Sequence, residues 1–420
     1  MFSKVLVPID SSPFSNTAIG VAADLASRLG STLVGLHVYA GRLHDTRFQQ
    51  MEKGLPAKFQ EESELQRQRA LHGTLITRGL ETISRSYLDH FENECRDGGV
   101  STESKMAEGQ NYVEILRELD REDYGLLVMG FLGLGAVERS IIGTVCERVL
   151  RRARTDVLVV KHAPPEHGKV VVAIDGSPQS FKALERGLTL GERVGAEVEV
   201  IAVYDPHFHN VAFQSIASVL SEEAGKDFHF EAQEKLHDQI INSGLEKIYG
   251  EHLQRAQQAA REQGREVKTV LLTGKPFEAV LNHVTAGGAS FLIVGRFGTH
   301  HSEYADIGGT AENLVRLARC NVLVVNGESP GNGDDPARRQ GREAATPDLG
   351  QEKHHNSHRG GPPPKGPQET KHIAWTEAAE AKMRRAPEMV RIMVVKSVED
   401  LARGRGLSRV TPELIDEAKS

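Results

Sequence analysis

The sequence predicts an α/β protein. Two tandem copies of one domain each carry a parallel sheet covered by helices on both faces, and a small all-α module follows. Three observations carry this. The chain repeats itself at an offset of 165 residues: Val5-Leu6-Val7-Pro8-Ile9-Asp10 returns as Val170-Val171-Val172-Ala173-Ile174-Asp175, and Val157-Leu158-Val159-Val160 returns as Val322-Leu323-Val324-Val325. Within each copy, short Val/Ile/Leu runs alternate with helical periodicity, the pattern of strands joined through helices. At residue 328 the composition changes abruptly.

In copy one the buried runs fall near residues 4–9, 32–39, 101–106, 126–130 and 156–160. Ser12 and Pro13 supply an N-cap and first helical position for the helix after the first strand, a device repeated by Ser177-Pro178. Ala18, Ile19, Ala22, Leu25, Ala26 and Leu29 make its inward stripe. A longer helical region follows the second strand, with Ile76, Leu80, Ile83 and Leu88 inward and Ile241, Leu245, Ile248 and Leu253 as their counterparts. Gly109 and Gly274 precede the third helix. The copies join near Ala163-Pro164-Pro165, giving domains 1–163 and 164–327.

Fourteen of residues 328–370 are Gly or Pro, too little apolar material for a core, so this stretch reads as a disordered linker. Residues 371–420 form the third module: Trp375 opens one helical pattern, Pro387 another, and Thr411-Pro412 caps a last one. The acidic excess argues against a chain-wide nucleic-acid surface, since 51 Lys and Arg face 58 Asp and Glu for a net charge of −7. No run is long and apolar enough for a membrane span, and Met1–Asp10 lacks a signal-peptide pattern, so the expected location is the cytoplasm. The three cysteines, Cys95, Cys146 and Cys320, form no CxxC and suit a reducing compartment.

After the fourth strand, copy one reads Gly130-Phe131-Leu132-Gly133, nine residues, then Gly143-Thr144. Glycines there permit close approach of backbone to a ligand, and the N–H groups and hydroxyl at the following helix start suit phosphate. Asp10, ending strand one, is placed to accept hydrogen bonds from a ribose or base edge. The spacing G-x2-G-x9-G-[S/T] between a strand and a helix resembles the ATP-binding branch of the universal stress protein family, over residues 1–327 as two domains. The resemblance implies two tandem Rossmann-like (adenine nucleotide alpha hydrolase-like) domains with five-stranded parallel sheets, and a bound ATP. By position, it implies that Pro8, Asp10 and Val38 meet base and ribose, and that Met129 and Gly130 line the base-to-ribose side. Gly133, Gly143, Thr144 and Val145 would hold ribose and phosphates.

In copy two the same positions are Asp175, Val203, Val294, Gly295, Gly298, Gly308, Gly309 and Thr310. Here Pro8 is replaced by Ala173, and the hydroxyl position is Gly309, with Thr310 as the nearest substitute. The loop Thr299–Ile307 gains acids that would repel phosphates or recruit Mg2+. Nucleotide binding in copy two is left open.

Other chemistry is less well supported. The SGGxDS loop of ATP pyrophosphatases and the Walker sequence are both missing. Asp205, His207 and His209, like His354, His355 and His358, read as solvated residues rather than a metal site, and Cys146 and Cys320 as packed core-edge residues. No nucleophile–base pair is visible, so the expected protein is not an enzyme beyond slow ATP hydrolysis. Trp375-Thr376-Glu377, Arg385-Ala386-Pro387 and Val410-Thr411-Pro412-Glu413 resemble the small C-terminal domain of light-independent protochlorophyllide reductase. The leading expectation is an ATP-binding stress-response or regulatory protein. The alternative is a scaffold whose C-terminal module recruits a protein partner, linked to tetrapyrrole metabolism. The copies are expected to pair within one chain, along their last strands; further homo-oligomerisation is left open.

Overall fold

The computed structural model describes residues 2–165, 168–206, 242–299 and 305–327, with short stretches at 374–376, 378–379, 398 and 409–412. The expected linker, the Pro387 helix, His207, His209 and His354–His358 lie outside the described residues. The chain divides into two compact units, Met1–Asp335 and Pro336–Ser420.

The first unit is built on one sheet. Copy one contributes β1 (Lys4–Ile9), β2 (Thr32–Tyr39), β3 (Thr102–Glu108), β4 (Leu126–Gly130) and β5 (Asp156–Val160). Copy two contributes β6 (Lys169–Ile174), β7 (Val198–Tyr204), β8 (Lys268–Thr273), β9 (Ala289–Gly295) and β10 (Asn321–Val325). The order is β3-β2-β1-β4-β5-β10-β9-β6-β7-β8. Each half is parallel, and the halves meet through antiparallel pairing of β5 with β10, Leu158 opposite Leu323. The two expected sheets are therefore one continuous sheet, and their last strands shield each other's edges.

In copy one the helices are α1 (Pro13–Leu29), α2 (Gly41–Met51), α3 (Glu62–Asp97), α4 (Asn111–Arg121) and α5 (Thr144–Arg152). In copy two the described helices are α6 (Pro178–Val194), α7 (Asn242–Glu262), α8 (Pro276–Ala286) and α9 (Gly309–Leu317). Two apolar layers, one on each sheet face, run through both copies. In α3 the inward stripe differs from expectation. Leu88 is buried, but Ile83 and its counterpart Ile248 are 45% and 49% exposed, and Ser84 turns inward instead. A long helix drifts relative to the sheet, so spacing alone misplaces the middle of its stripe.

The cap of α1 is as expected: Ser12 accepts from Ser15 N at 3.2 Å, and Ser177 does the same for Ser180 N. Ser12 also donates to Leu132 O at 3.3 Å. Among the described residues the Ser177 hydroxyl makes only the cap. Ser177→Ala is expected to cost about 1 kcal/mol of stability, and Ser12→Ala more. Urea denaturation of the two variants checks this, and equal losses would discount the Leu132 bond.

In the second unit, Ala374–Trp375 pairs in parallel with Arg409–Val410. Trp375 thus lies in a two-residue strand rather than opening a helix; Thr376 follows it, accepts from Ala379 N at 3.3 Å and donates to Val410 O at 3.1 Å. Ala378, Ala379, Val398 and Pro412 are helical.

Candidate functional site

In copy one the chain runs from β1 outward to β2 and β3, then returns to β4 on the other side of β1. The carboxyl ends of β1 and β4 therefore splay at a topological switch point, where open α/β sheets leave a crevice. A cavity of about 410 Å3 lies there. Pro8, Asp10, Val38, Met129, Gly130, Gly133, Gly143, Thr144 and Val145 all line it. Its counterpart in copy two is smaller, about 250 Å3, and is lined by Asp175, Val203, Val294, Gly295, Gly298, Gly308, Gly309 and Thr310. Every sequence-selected residue thus borders one of two cavities.

Asp10 organises the first cavity. Its Oδ1 accepts from Ser12 N at 3.0 Å and its Oδ2 from Leu134 N at 3.1 Å. The carboxylate thereby ties the turn after β1 to the loop after β4. That turn is strained in copy one: Ser11 adopts φ 60°, where copy two has Gly176 at φ 87°. The clamp is repeated by Asp175, which accepts from Ser177 N at 3.0 Å and Thr299 N at 2.8 Å.

The clamp revises the reason for the glycines. A Cβ on Gly133 would lie 2.5 Å from Asp10 Oδ2, and one on Gly298 within 2.3 Å of Asp175 Oδ2. On Gly130 it would meet the Phe14 carbonyl carbon at 2.7 Å. The close approach is thus to the protein's own carboxylate and helix start, not to a ligand alone. Gly309, by contrast, faces open space.

The starts of α5 and α9 border the cavities, with Gly143 and Gly308 as N-caps that offer no side-chain acceptor. The first-turn N–H groups of Thr144, Val145 and Cys146 are therefore available to an anion. Residues lining the first cavity include one carboxylate, Asp10, and no Lys or Arg. At the start of α5 the donors are the backbone N–H groups and the Thr144 hydroxyl. Cys146 is buried at 2% exposure, and burial pushes its thiol up to about 12, which leaves it inert.

Several participants were not legible from motif spacing. His37 lines cavity one where copy two has Ala202. Ser84 Oγ donates to Leu80 O at 2.7 Å, so it accepts from His37 Nδ1–H at 2.8 Å, which fixes the tautomer. Burial lowers the His37 pKa, against an opposing pull from Asp10. At the position of Ser84 copy two carries Tyr249, which lines and narrows cavity two. Arg296 also lines cavity two, where copy one has Phe131. It is 5% exposed, and burial lowers its guanidinium to about 10, still charged at neutral pH. Comparing the copies position by position, rather than motif by motif, would have singled out all three. Among the described residues no group of three or more His, Cys, Asp or Glu could hold a metal ion, and no helix is long and apolar enough to cross a membrane.

Comparison with known proteins bears on both units. A model of the universal stress protein family matches residues 1–161 and again 166–326. A model described as the proto-chlorophyllide reductase 57 kD subunit matches residues 375–419. Universal stress protein YxiE of Bacillus subtilis (strain 168) is 29% identical over 157 residues, 37% of this chain and 97% of that protein. Universal stress protein Rv1996 of Mycobacterium tuberculosis (strain ATCC 25618 / H37Rv) is 27% identical over 204 residues, 48% of this chain and 62% of that one. A functionally unknown protein from Pseudomonas aeruginosa PAO1 shares the fold, with a TM-score of 0.51 and 17% identity over 77% of this chain and 92% of its own.

Proposed function

The chain belongs to the universal stress protein family, and on that footing we propose that it binds one adenine nucleotide, ATP, in the cavity of copy one and acts in stress response or regulation. The observation that carries this is the uncapped start of α5 opening onto a cavity of about 410 Å3 at the sheet's switch point. In this reading the first-turn N–H groups and Thr144 Oγ1 take the phosphates, assisted by the positive end of the helix dipole. Asp10, Val38, Met129 and Gly130 enclose base and ribose. ATP brings a transferable phosphoryl group, but no cationic side chain lines the cavity to stabilise its transfer. The output is therefore a change of conformation or partner, with at most slow hydrolysis. Mg2+ would enter with the phosphates and balance their charge.

Copy two lacks the hydroxyl at Gly309 and is narrowed by Tyr249. Titration of the full chain with Mg-ATP in a calorimeter is expected to give a stoichiometry near one. Absence of binding would reject the reading, and two equivalent sites would reject the distinction between copies.

The match at residues 375–419 favours a second reading, recruitment of a partner linked to tetrapyrrole metabolism through the C-terminal module. Crosslinking in cells tests it: links from residues 375–419 to such an enzyme support it, and links confined to the chain itself sink it.

A further inference from the structure

The helix that opens onto cavity one is held at its other end by copy two. Arg296 belongs to the Gly295-Arg296-Phe297-Gly298 loop of copy two. Its Nε donates to Asp306 O at 2.8 Å within its own copy, while Nη1 and Nη2 donate to Ala153 O and Arg151 O of copy one. These are carbonyls of the last turn and C-cap of α5, which no α-helix can satisfy internally. A buried guanidinium there complements the negative end of the helix dipole.

The arrangement is answered from the other side by a different residue. Lys161, just past β5, donates to Val315 O at 2.7 Å and to Ala318 O, at the end of α9. Its ammonium stands 4.4 Å from the ring centre of Phe131, the copy-one counterpart of Arg296. Two ion pairs join α5 to α9, Glu147 with Arg316 at 2.5 Å and Arg151 with Glu312, and within α9 Arg316 also meets Glu312 at 2.9 Å. Each helix that opens onto a cavity thus carries, at its far end, a cation supplied by the other copy.

We propose that Arg296 is a positioning residue for the phosphate end of cavity one, acting across the copy boundary by fixing α5 from its C-terminus. The first-turn N–H groups of α5 can present a preset geometry to an anion only if the helix is anchored, and α5 is nine residues long with an N-cap that contributes no side-chain bond. Arg296 supplies the anchor and, through the helix dipole, a favourable charge at the end opposite the anion. The inference rests on phosphate binding at cavity one and adds a dependence on copy two. Because Arg296 acts through α5, its contribution should be confined to the phosphates and leave the nucleoside untouched.

The test is photolabelling of the full chain with 8-azido-ATP, competed by ATP or by adenosine, with labelled peptides of copy one and copy two quantified separately. In the wild type, copy-one peptides should be protected more strongly by ATP than by adenosine. Arg296→Met should weaken ATP competition at copy one about fivefold, with adenosine unchanged, and Arg296→Lys should recover most of the loss. Equal losses for ATP and adenosine would indicate a general loosening of the fold and overturn the inference. So would an unchanged ATP midpoint in Arg296→Met. If Arg296→Met does not fold, Arg296→Lys decides alone, because one ammonium cannot span three carbonyls: a loss of about twofold for ATP only is expected, and none, or a loss shared with adenosine, overturns it. Absence of copy-one labelling in the wild type would remove the nucleotide reading itself, and this inference with it. Wild-type labelling that ignores Arg296 would remove the inference alone.

Discussion

Replacing Asp10 by Ala should lower ATP affinity at copy one by at least about tenfold, or 1.4 kcal/mol. The carboxylate accepts two backbone N–H groups, Ser12 N and Leu134 N, that belong to different loops. Without it both donors lose their partner, a cost of about 1–3 kcal/mol each where water cannot replace it. The loop after β4 then keeps the bond from Ser12 Oγ to Leu132 O but loses the Asp10 contact to Leu134 N, and the cavity wall relaxes. Gly133→Ala should act through the same contact, since its Cβ would press on Asp10 Oδ2. The double variant discriminates the two accounts of the glycine. If Gly133 serves the clamp, Asp10→Ala/Gly133→Ala loses no more affinity than Asp10→Ala alone, because removing the carboxylate leaves room for the new methyl. If Gly133 faces the ligand directly, the losses add. Calorimetric titration of the three variants reads this, and additive losses would return the glycine to the role its spacing suggested.

The contrast shows where a sequence speaks and where it is silent. The strands near 4–9, 32–39, 126–130 and 156–160 match β1, β2, β4 and β5 because burial on both faces leaves uninterrupted Val/Ile/Leu runs. Ser12-Pro13 and Ser177-Pro178 mark helix starts because capping is a local event. The cavity residues were legible because the motif places them at fixed offsets from strand ends. The partner of each glycine was not, because Asp10 and Gly133 meet only when the first and fourth strands lie side by side. Arg296 is a sharper case. At its position copy one has Phe131, so comparing the copies marks Arg296 as a difference but does not say what it serves. The carbonyls it serves, at Arg151 and Ala153, are backbone atoms of the other copy, and no residue type signals them.

The junction of the two halves should be the most sensitive point for stability. β5 and β10 pair over Val157–Val324, Leu158–Leu323 and Val159–Val322. Side chains alternate across the sheet, so Leu158 and Leu323 enter one apolar layer while the four valines enter the other. Leu158 is 1% and Leu323 2% exposed. Leu158→Ala should cost about 2–5 kcal/mol, the range for emptying a buried leucine site. Leu323→Ala should cost a similar amount, and the double variant less than the sum, since both truncations enlarge one shared cavity. Leu158→Asp should be worse than any of these: it places a carboxylate where the apolar layer offers no partner, and relieving it means parting β5 from β10. Parting them exposes two strand edges built entirely of buried residues, so the variant should aggregate as it unfolds. Chemical denaturation followed by circular dichroism, with light scattering recorded alongside, measures all four variants. An unchanged midpoint for Leu158→Ala, or strict additivity in the double variant, would mean that the halves hold together by the ion pairs of α5 and α9 and not by the strand seam.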